Sequence, residues 1–587
     1  MLMVLLQSVA FVLAQLGYIA WTRRRTGLDV AFVPALVFTA QGLAVFAGGM
    51  LGLLPQSAWA VVVVGLALLA VEAWRAPDGL RELVREPALW LLAGAAVALA
   101  WYLRGQVLVS YDNFSHWALV VRVMLAEGRF PTAEDTVVVF QSYPLGSASF
   151  VYLFNRTLTA AESVAMLAQQ LLTFSYVLAL LSATPRRKGV GVVAVVGTYW
   201  VVAEFEIFVN SLLVDTLLGV MSGYLVVLVW ANRDRLRSLL LPIAIVMAFL
   251  AMTKNSGLFT VVLASVAVLV LTRVRMTDRR QPADVTGDGR SPRGFTWWLL
   301  PALLAPWAFL LWWTYHVSAT FPEGMESKHS MSAGRFEDVF GEKTRSDVEA
   351  IVRSFANEVL GDVATVVLLF VLVVAVVLLR RSQLVRRSEA VWLLVGGVLS
   401  FALYVAGILA MFLLSMPLEE ALRLAGLHRY LSTAHLAWFL VVMWLLLAVV
   451  DAASRLALQV LAAVTAAATL FAMSALANYR LLPVPDSSDS ARAQVDQALA
   501  GEEVPPGDTV CVVLNTPDSG FRRYIVRYVL VSPDVEEIVF AGDEEPHEPE
   551  RCDHFVVLTE NAAAERWFAE QGIIPPGPAP YLVEWVR

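Results

Sequence analysis

Long stretches of this chain are apolar on every helical face, and this restricts its possible folds more than any other feature. Segments 58–72 (AWAVVVVGLALLAVE) and 362–379 (DVATVVLLFVLVVAVVLL) carry no polar stripe. A helix that is greasy all round lies against lipid or inside a helix bundle. Of the 587 residues, 58% are hydrophobic and 16% charged, with a mean hydropathy of +0.67. A soluble surface of this size needs more charge than that. The sequence therefore predicts an all-α polytopic membrane protein.

A crossing helix takes about 20 mostly apolar residues. About fourteen segments qualify, near 2–21, 30–54, 58–74, 88–105, 161–182, 189–208, 214–231, 238–253, 256–272, 295–314, 362–379, 390–415, 430–450 and 456–478. Residues 2–21 lack the basic start and small-residue cleavage site of a signal peptide, so they are expected to remain as a first span. The basic clusters TRRRT (22–26), Arg75 to Arg85, PRRK (185–188), NRDRLR (232–237), RVRMTDRR (273–280) and RRSQLVRR (380–387) all fall in alternate connections. Short basic loops lie on the cytoplasmic side. The opposite set holds 55–57, 209–213 and the loops 106–160, 315–361 and 416–429, which places both termini outside. The net charge of −7 says little beside this distribution.

The expected domains are N-terminal membrane helices over 1–87, a transmembrane core over 88–480, a linker over 481–508 and a small extracytoplasmic α/β unit over 509–587. TVCVVLN (509–515), EIVFA (537–541) and HFVVLTE (554–560) read as buried strands. NAAAERWFAEQG (561–572) reads as a helix with Asn561 as N-cap and Gly572 just past its end. The linker is rich in Pro, Ser and Asp. The only cysteines, Cys511 and Cys552, sit in the α/β unit and suit either a disulfide or two buried thiols. No CxxC spacing marks a metal or redox site.

Ionisable residues collect at the outward ends of the predicted spans, where insertion costs require a task or a partner. They are Asp112 in YDNFSHW, Glu204 and Glu206 in AEFEIF, Asp215 in NSLLVDTLLG, Lys254 in MTKNSG, and Glu419, Glu420, Arg423, His428 and Arg429 further on. In 114–128, Phe114, Trp117, Val121, Met124 and Leu125 repeat at helical spacing. This predicts an amphipathic helix lying in the membrane interface, with Trp117 at headgroup level.

These residues resemble the GT-C class of integral membrane glycosyltransferases, which take sugars from polyprenyl-phosphate carriers. YDNFSHW with 114–128 resembles the family's first outer loop, with its acidic residue and interfacial helix. FLAMTKNSGLF (249–259) is similar to its segment with Lys after Thr at the outer end of a span. VNSLLVDTLL (209–218) is similar to a later acidic turn, and LHRYLSTAHLAWF (427–439) to an Arg-Tyr entry into a late span. The resemblance covers most of 88–450; the spans before 88 match no part of it.

The resemblance implies inverting transfer of a sugar from a polyprenyl-phosphate donor to a cell-envelope glycan, lipid or protein acceptor at the extracytoplasmic face of the cell membrane. Asp112 would be the general base, or else a helix N-cap. Lys254 and Arg429, with Arg423 in reserve, would bind the donor phosphate, or else snorkel to headgroups. Asp215, His116, Tyr143 and Trp117 would contact substrate; each also suits a structural role. The loop 315–361 is the candidate lid. Many members carry adjacent acids where this chain has Asp112-Asn113, which weakens the case for a divalent metal held by paired carboxylates. Nucleic acid is not an expected partner. Ala-, Val- and Arg-rich usage suggests a high-GC bacterial genome.

Three rival classes predict different features. A secondary transporter would show inverted repeats and helices broken near mid-membrane. A polysaccharide polymerase or ligase using lipid-diphosphate-linked oligosaccharide would carry more arginine in its outer loops. A scaffold or sensor would leave the acids and cations without a task.

Overall fold

The computed structural model describes residues 2–207, 209–278, 299–321, 339–477, 490–505, 507–532, 534–541 and 552–585. Among them, nine helices are long and apolar enough to cross a bilayer. These are Leu2–Thr26, Val30–Met50, Leu54–Arg75, Glu162–Ala183, Leu236–Thr253, Val363–Arg381, Arg387–Leu414, Leu427–Ala452 and Leu456–Leu476. Pro77–Val84 and Pro87–Tyr102, bent by 60° at their junction, make a tenth if they are one span. The bend falls where Glu86 precedes proline and is extended, as the proline ring demands of its neighbour. Helices Lys188–Glu204, Asp215–Ala231, Gly257–Asp278 and Leu300–Thr320 overlie the other apolar segments. The chain is a helical membrane protein.

Val30–Met50, Glu162–Ala183 and Leu427–Ala452 are enclosed by their neighbours, whereas Arg387–Leu414 presents most of its side chains outward. Val63, Phe370, Leu399 and Phe471 are exposed on the bundle's flank, as lipid contact requires. Most of the basic connections meet at one end. Arg23 lies within 4.0 Å of Glu86, Lys188 Nζ within 3.1 Å of Glu86, and Arg233 within 3.5 Å of Glu389. Arg235 donates to the Gly27 carbonyl at 2.8 Å, and Asp451 accepts from the backbone N–H groups of Arg186 and Arg187.

The helices Asp215–Ala231 and Leu427–Ala452 pack closely because Gly219 and Gly223 are four residues apart, on one face. A Cβ at Gly219 would lie 2.8 Å from the Thr433 carbonyl oxygen, and one at Gly223 would lie 2.7 Å from that of Ala437. This seam fixes the two helix starts that carry Asp215 and Arg429.

The segment 114–128 departs from the interfacial helix expected of it. Asn113–Trp117 is a π-helical turn, continued by the helix Ala118–Glu127, and Phe114, Trp117, Val121 and Met124 are buried. Its apolar stripe faces protein, and Trp117 contacts His116 and Tyr143 instead of headgroups. Of the candidate lid 315–361, residues 322–338 lie outside the described residues, and Arg345–Gly361 is a helix with a Thr344–Asp347 capping box.

The C-terminal unit is a four-stranded sheet in the order β2-β1-β3-β4. Strands β1 (Val510–Leu514), β2 (Val535–Val539) and β3 (His554–Val557) run parallel, while β4 (Tyr581–Glu584) pairs antiparallel with β3. Helix Ala562–Glu570 begins where Asn561 Oδ1 accepts from the backbone N–H groups of Ala563 and Ala564. Cys511 and Cys552 form a disulfide across a Cα separation of 5.8 Å, which decides between the two states open to the sequence. Two further helices join the unit, Ala491–Ala498 inside the stretch expected as linker and Phe521–Leu530 between β1 and β2.

Gly223→Ala is expected to cost about 1–3 kcal/mol, because its methyl meets a backbone carbonyl that cannot move alone. Gly94→Ala, where a Cβ meets nothing within 4 Å, should be neutral or slightly stabilising. Thermal unfolding of the two variants in detergent checks the contrast.

Candidate active site

Four charged residues from separate stretches of chain converge at the end of the bundle away from the basic connections. Lys254 terminates Leu240–Thr253 in an extended conformation, and Asp215 opens Asp215–Ala231. Arg429 lies in the first turn of Leu427–Ala452, and Asp112 immediately precedes the π-helical turn. Lys254 Nζ donates to Asp215 Oδ1 at 2.6 Å. Arg429 Nε lies 3.6 Å from Asp215 Oδ2, and Arg429 Nη1 donates to Asp112 Oδ2. Asp215 is thus shared between two cations, and the four formal charges sum to zero.

Burial gives these pairs their weight. Asp215 is 2% exposed and Lys254 8% exposed. At such positions the loss of hydration is large, and only a well-placed partner offsets it. Asp215 also sits at a helix N-terminus, where the backbone dipole favours an anion; Arg429 sits at another, where the dipole disfavours a cation. Two carboxylates offset that disadvantage. The Tyr430 ring lies 5.2 Å from Lys254 Nζ and 5.5 Å from Arg429 Cζ, so its π face adds attraction to both.

The backbone around the cluster is stitched by buried amides. Asn113, fully buried, accepts from the Leu212 N–H at 2.9 Å. Gln169 Nε2 donates to the Leu212 and Leu213 carbonyls, and Gln170 Nε2 to that of Val209. The 209–213 turn therefore enters Asp215 at a fixed angle. Asn113, which also faces the Ser211 hydroxyl at 3.4 Å, therefore has a structural task beside Asp112. A Cβ at Gly146 would lie 2.6 Å from the Met252 carbonyl, so glycine there lets the end of the Lys254 helix approach.

Asp112, Arg429, Ser115 and Tyr430 separate two cavities. One, of 460 Å³, is lined by Lys254, His116, Trp117 and Tyr143 together with the apolar Leu258, Phe259, Val262 and Met411. The second, of 510 Å³, is polar and includes Tyr111, Glu206, Glu420 and His428. Tyr404, whose hydroxyl donates to the Tyr430 carbonyl at 3.1 Å, lines the first cavity and also an apolar groove of 290 Å³ between helices. Ser115 is buried and lines both the first and the second cavity.

His116 is enclosed by Trp117, Phe140 and Tyr143 at ring separations of 4.7, 5.6 and 5.0 Å. Burial, with Lys254 adding to it, lowers its pKa to about 3, so the ring is neutral at ordinary pH. Its Nδ1 is buried without a hydrogen-bond partner among the described residues, leaving it able to bind a ligand in the first cavity. Burial also raises the Tyr143 phenol above its ordinary range, keeping it a neutral donor.

Of the residues singled out in the sequence, Asp112, Asp215, Lys254, Arg429, His116, Tyr143 and Trp117 come together here. Asp112 caps no helical N–H with its carboxylate. Arg423 is exposed and lines neither cavity, so the structure separates it from the cluster. Tyr404 and Ser115 escaped sequence reasoning. Ser115 was legible only as part of YDNFSHW, and Tyr404 sits in an unbroken apolar run with no local signal. Among the described residues, no three His, Cys, Asp or Glu side chains form a metal-holding group.

Fold and site together define a helical membrane protein with a buried, charge-balanced polar centre at one end of its bundle. No protein-family model, curated protein or solved structure matches the chain.

Lys254→Met is expected to destabilise the protein by about 3 kcal/mol, because it removes the cation bonded to a buried carboxylate and leaves only Arg429, at 3.6 Å. Adding Asp215→Asn should recover at least half of that loss. Detergent-solubilised unfolding of the two single variants and the double variant measures the coupling; additive losses would refute it.

Proposed function

We propose that this protein transfers a sugar from a polyprenyl-phosphate donor to a hydroxyl acceptor, as in the GT-C class that its sequence resembles. The observation that carries the reading is the Lys254–Asp215–Arg429–Asp112 cluster, three of whose members line a cavity that also has apolar walls from Leu258, Phe259, Val262 and Met411. A polyprenyl-phosphate sugar combines the same two characters, an anionic polar head and an apolar chain. The adjoining apolar groove, sharing Tyr404, suits an isoprenoid chain.

In the proposed reaction the acceptor oxygen attacks the anomeric carbon, the bond from that carbon to the phosphate oxygen breaks, and the electron pair leaves with the phosphate. The configuration inverts. Arg429 exchanges Asp112 for the phosphate, and Lys254 adds a second cation while remaining held by Asp215. Cations fixed before the reaction stabilise the departing charge without reorganisation. Asp112, released from Arg429, accepts the acceptor's proton. His116 and Tyr143 offer neutral hydrogen-bonding groups to the sugar, and Trp117 packs behind them.

We further propose that all fourteen apolar segments cross the membrane, with both termini and the site extracytoplasmic. The gathering of basic connections at the opposite end supports this orientation. The Cys511–Cys552 disulfide suits an oxidising compartment. The acceptor is a cell-envelope glycan, lipid or protein.

Membranes carrying the wild-type chain should move radiolabel from a polyprenyl-phosphate monosaccharide to an endogenous acceptor. Asp112→Asn should lower the rate by about 100-fold or more at matched expression. Arg423→Ala, at an exposed residue that lines neither cavity, should stay within about twofold of wild type. No transfer by the wild type across a broad donor panel would sink the enzyme reading, and full activity in Asp112→Asn would remove Asp112 from the chemistry.

A further inference from the structure

The C-terminal unit does not stand apart from the membrane bundle. Its helix Phe521–Leu530 lies on the two aromatic residues that bracket Asp112 and Asn113. Tyr111 packs on Phe521 and Tyr524 at ring separations of 5.8 and 5.1 Å, and Phe114 packs on Phe521 and Tyr528 at 6.1 and 5.3 Å. Asp112 thus sits on a segment whose outer face is supplied by residues more than four hundred positions later in the chain.

A buried ionic junction ties the two parts together. Glu162, at the start of the helix Glu162–Ala183, receives the Arg492 guanidinium at 3.0 Å and the Tyr528 hydroxyl at 3.0 Å on one oxygen. Its other oxygen accepts from the Leu108 N–H at 2.9 Å, at the base of the loop leading to Asp112. Arg492 also pairs with Asp496 at 2.8 Å and lies over the Phe114 and Tyr528 rings. Arg122 also lies over the Tyr528 ring, at 5.0 Å, and donates to the Val529 carbonyl at 2.8 Å. One carboxylate therefore joins a membrane helix, the Asp112 loop and the C-terminal unit, and desolvated charge makes the junction intolerant of displacement.

We propose that the C-terminal unit is a working part of the site. Arg492 and Tyr528 act as positioning residues that hold the Tyr111–Trp117 segment, and hence the Asp112 carboxylate, against Arg429. The inference rests on Asp112 being the functional acid of the proposed reaction, but its position can be measured without turnover. Because both native cysteines are joined in the disulfide, one introduced cysteine is the only free thiol.

The test places that cysteine at Ser110, two residues before Asp112, in the full-length protein in detergent. The rate of maleimide labelling is read in the parent, Arg492→Gln, Arg492→Lys and Tyr528→Phe backgrounds. A cysteine at the exposed Gln56 serves as the control. Tyr528→Phe keeps the ring and removes one hydroxyl, so the fold is retained while the bond to Glu162 is lost. Arg492→Gln and Tyr528→Phe should each accelerate labelling at position 110 by about tenfold, with Arg492→Lys between them and the parent. Labelling at position 56 should not change. Unchanged labelling at 110 overturns the proposal, and so does equal acceleration at 110 and 56, since the junction would then support the fold as a whole. In the radiolabel assay the same variants should lower kcat about tenfold at constant donor KM; a change in KM alone would contradict a positioning role. Absence of transfer by the parent chain would count against the proposed reaction and leave the labelling result standing.

Discussion

Two carboxylates and two cations, held in one line inside a helix bundle, set the conditions for everything around them. Asp215 is the centre of that line, receiving Lys254 on one oxygen and approached by Arg429 on the other. Asp215 and Lys254 are too deeply buried to be tolerable alone, while Arg429 and Asp112 are half-buried. Each is supplied by a different helix end or loop, so the cluster forms only when those elements have reached their final positions.

The packing around the line is correspondingly exact in its demands. Gly219 and Gly223 let one helix approach the next to within carbonyl contact, which brings Asp215 to the level of Arg429. Asn113 and Gln169 satisfy the turn before Asp215 with side-chain amides, giving its backbone groups partners away from water. On the outer side, Phe521, Tyr524 and Tyr528 pack on Tyr111 and Phe114, so the acid-bearing loop lies between membrane helices and a soluble unit. Trp117, Phe140 and Tyr143 enclose His116, and that burial keeps it neutral in the wall of the cavity.

Much of the cluster was legible residue by residue. An ionisable group at the end of an apolar run is expensive wherever it occurs, so Asp112, Asp215, Lys254 and Arg429 stand out without knowledge of the fold. Arg423 stands out by the same rule and is exposed, because the rule reports cost along the chain and not direction in space. The stripe in 114–128 has the period of an amphipathic helix whether its apolar face meets lipid or protein. Here it meets protein: helix Ala118–Glu127 packs on Gly146–Thr157, Trp117 meets Tyr143, and Phe114 meets the C-terminal unit. Helix Ala491–Ala498 was hidden for a related reason. Its polar composition resembles a linker, and what orders it is the distant carboxylate of Glu162.

The sequence by itself determined that this is a helical membrane protein with a small α/β unit at its end. Apolar length, basic connections and strand and cap patterns are local properties that survive any arrangement of the pieces. Only the tertiary structure decided which charges pair, that Cys511 meets Cys552, and that the terminal unit rests on the Asp112 loop. Those outcomes depend on contacts between residues far apart in the chain, selected by burial and close packing, and no local pattern encodes them.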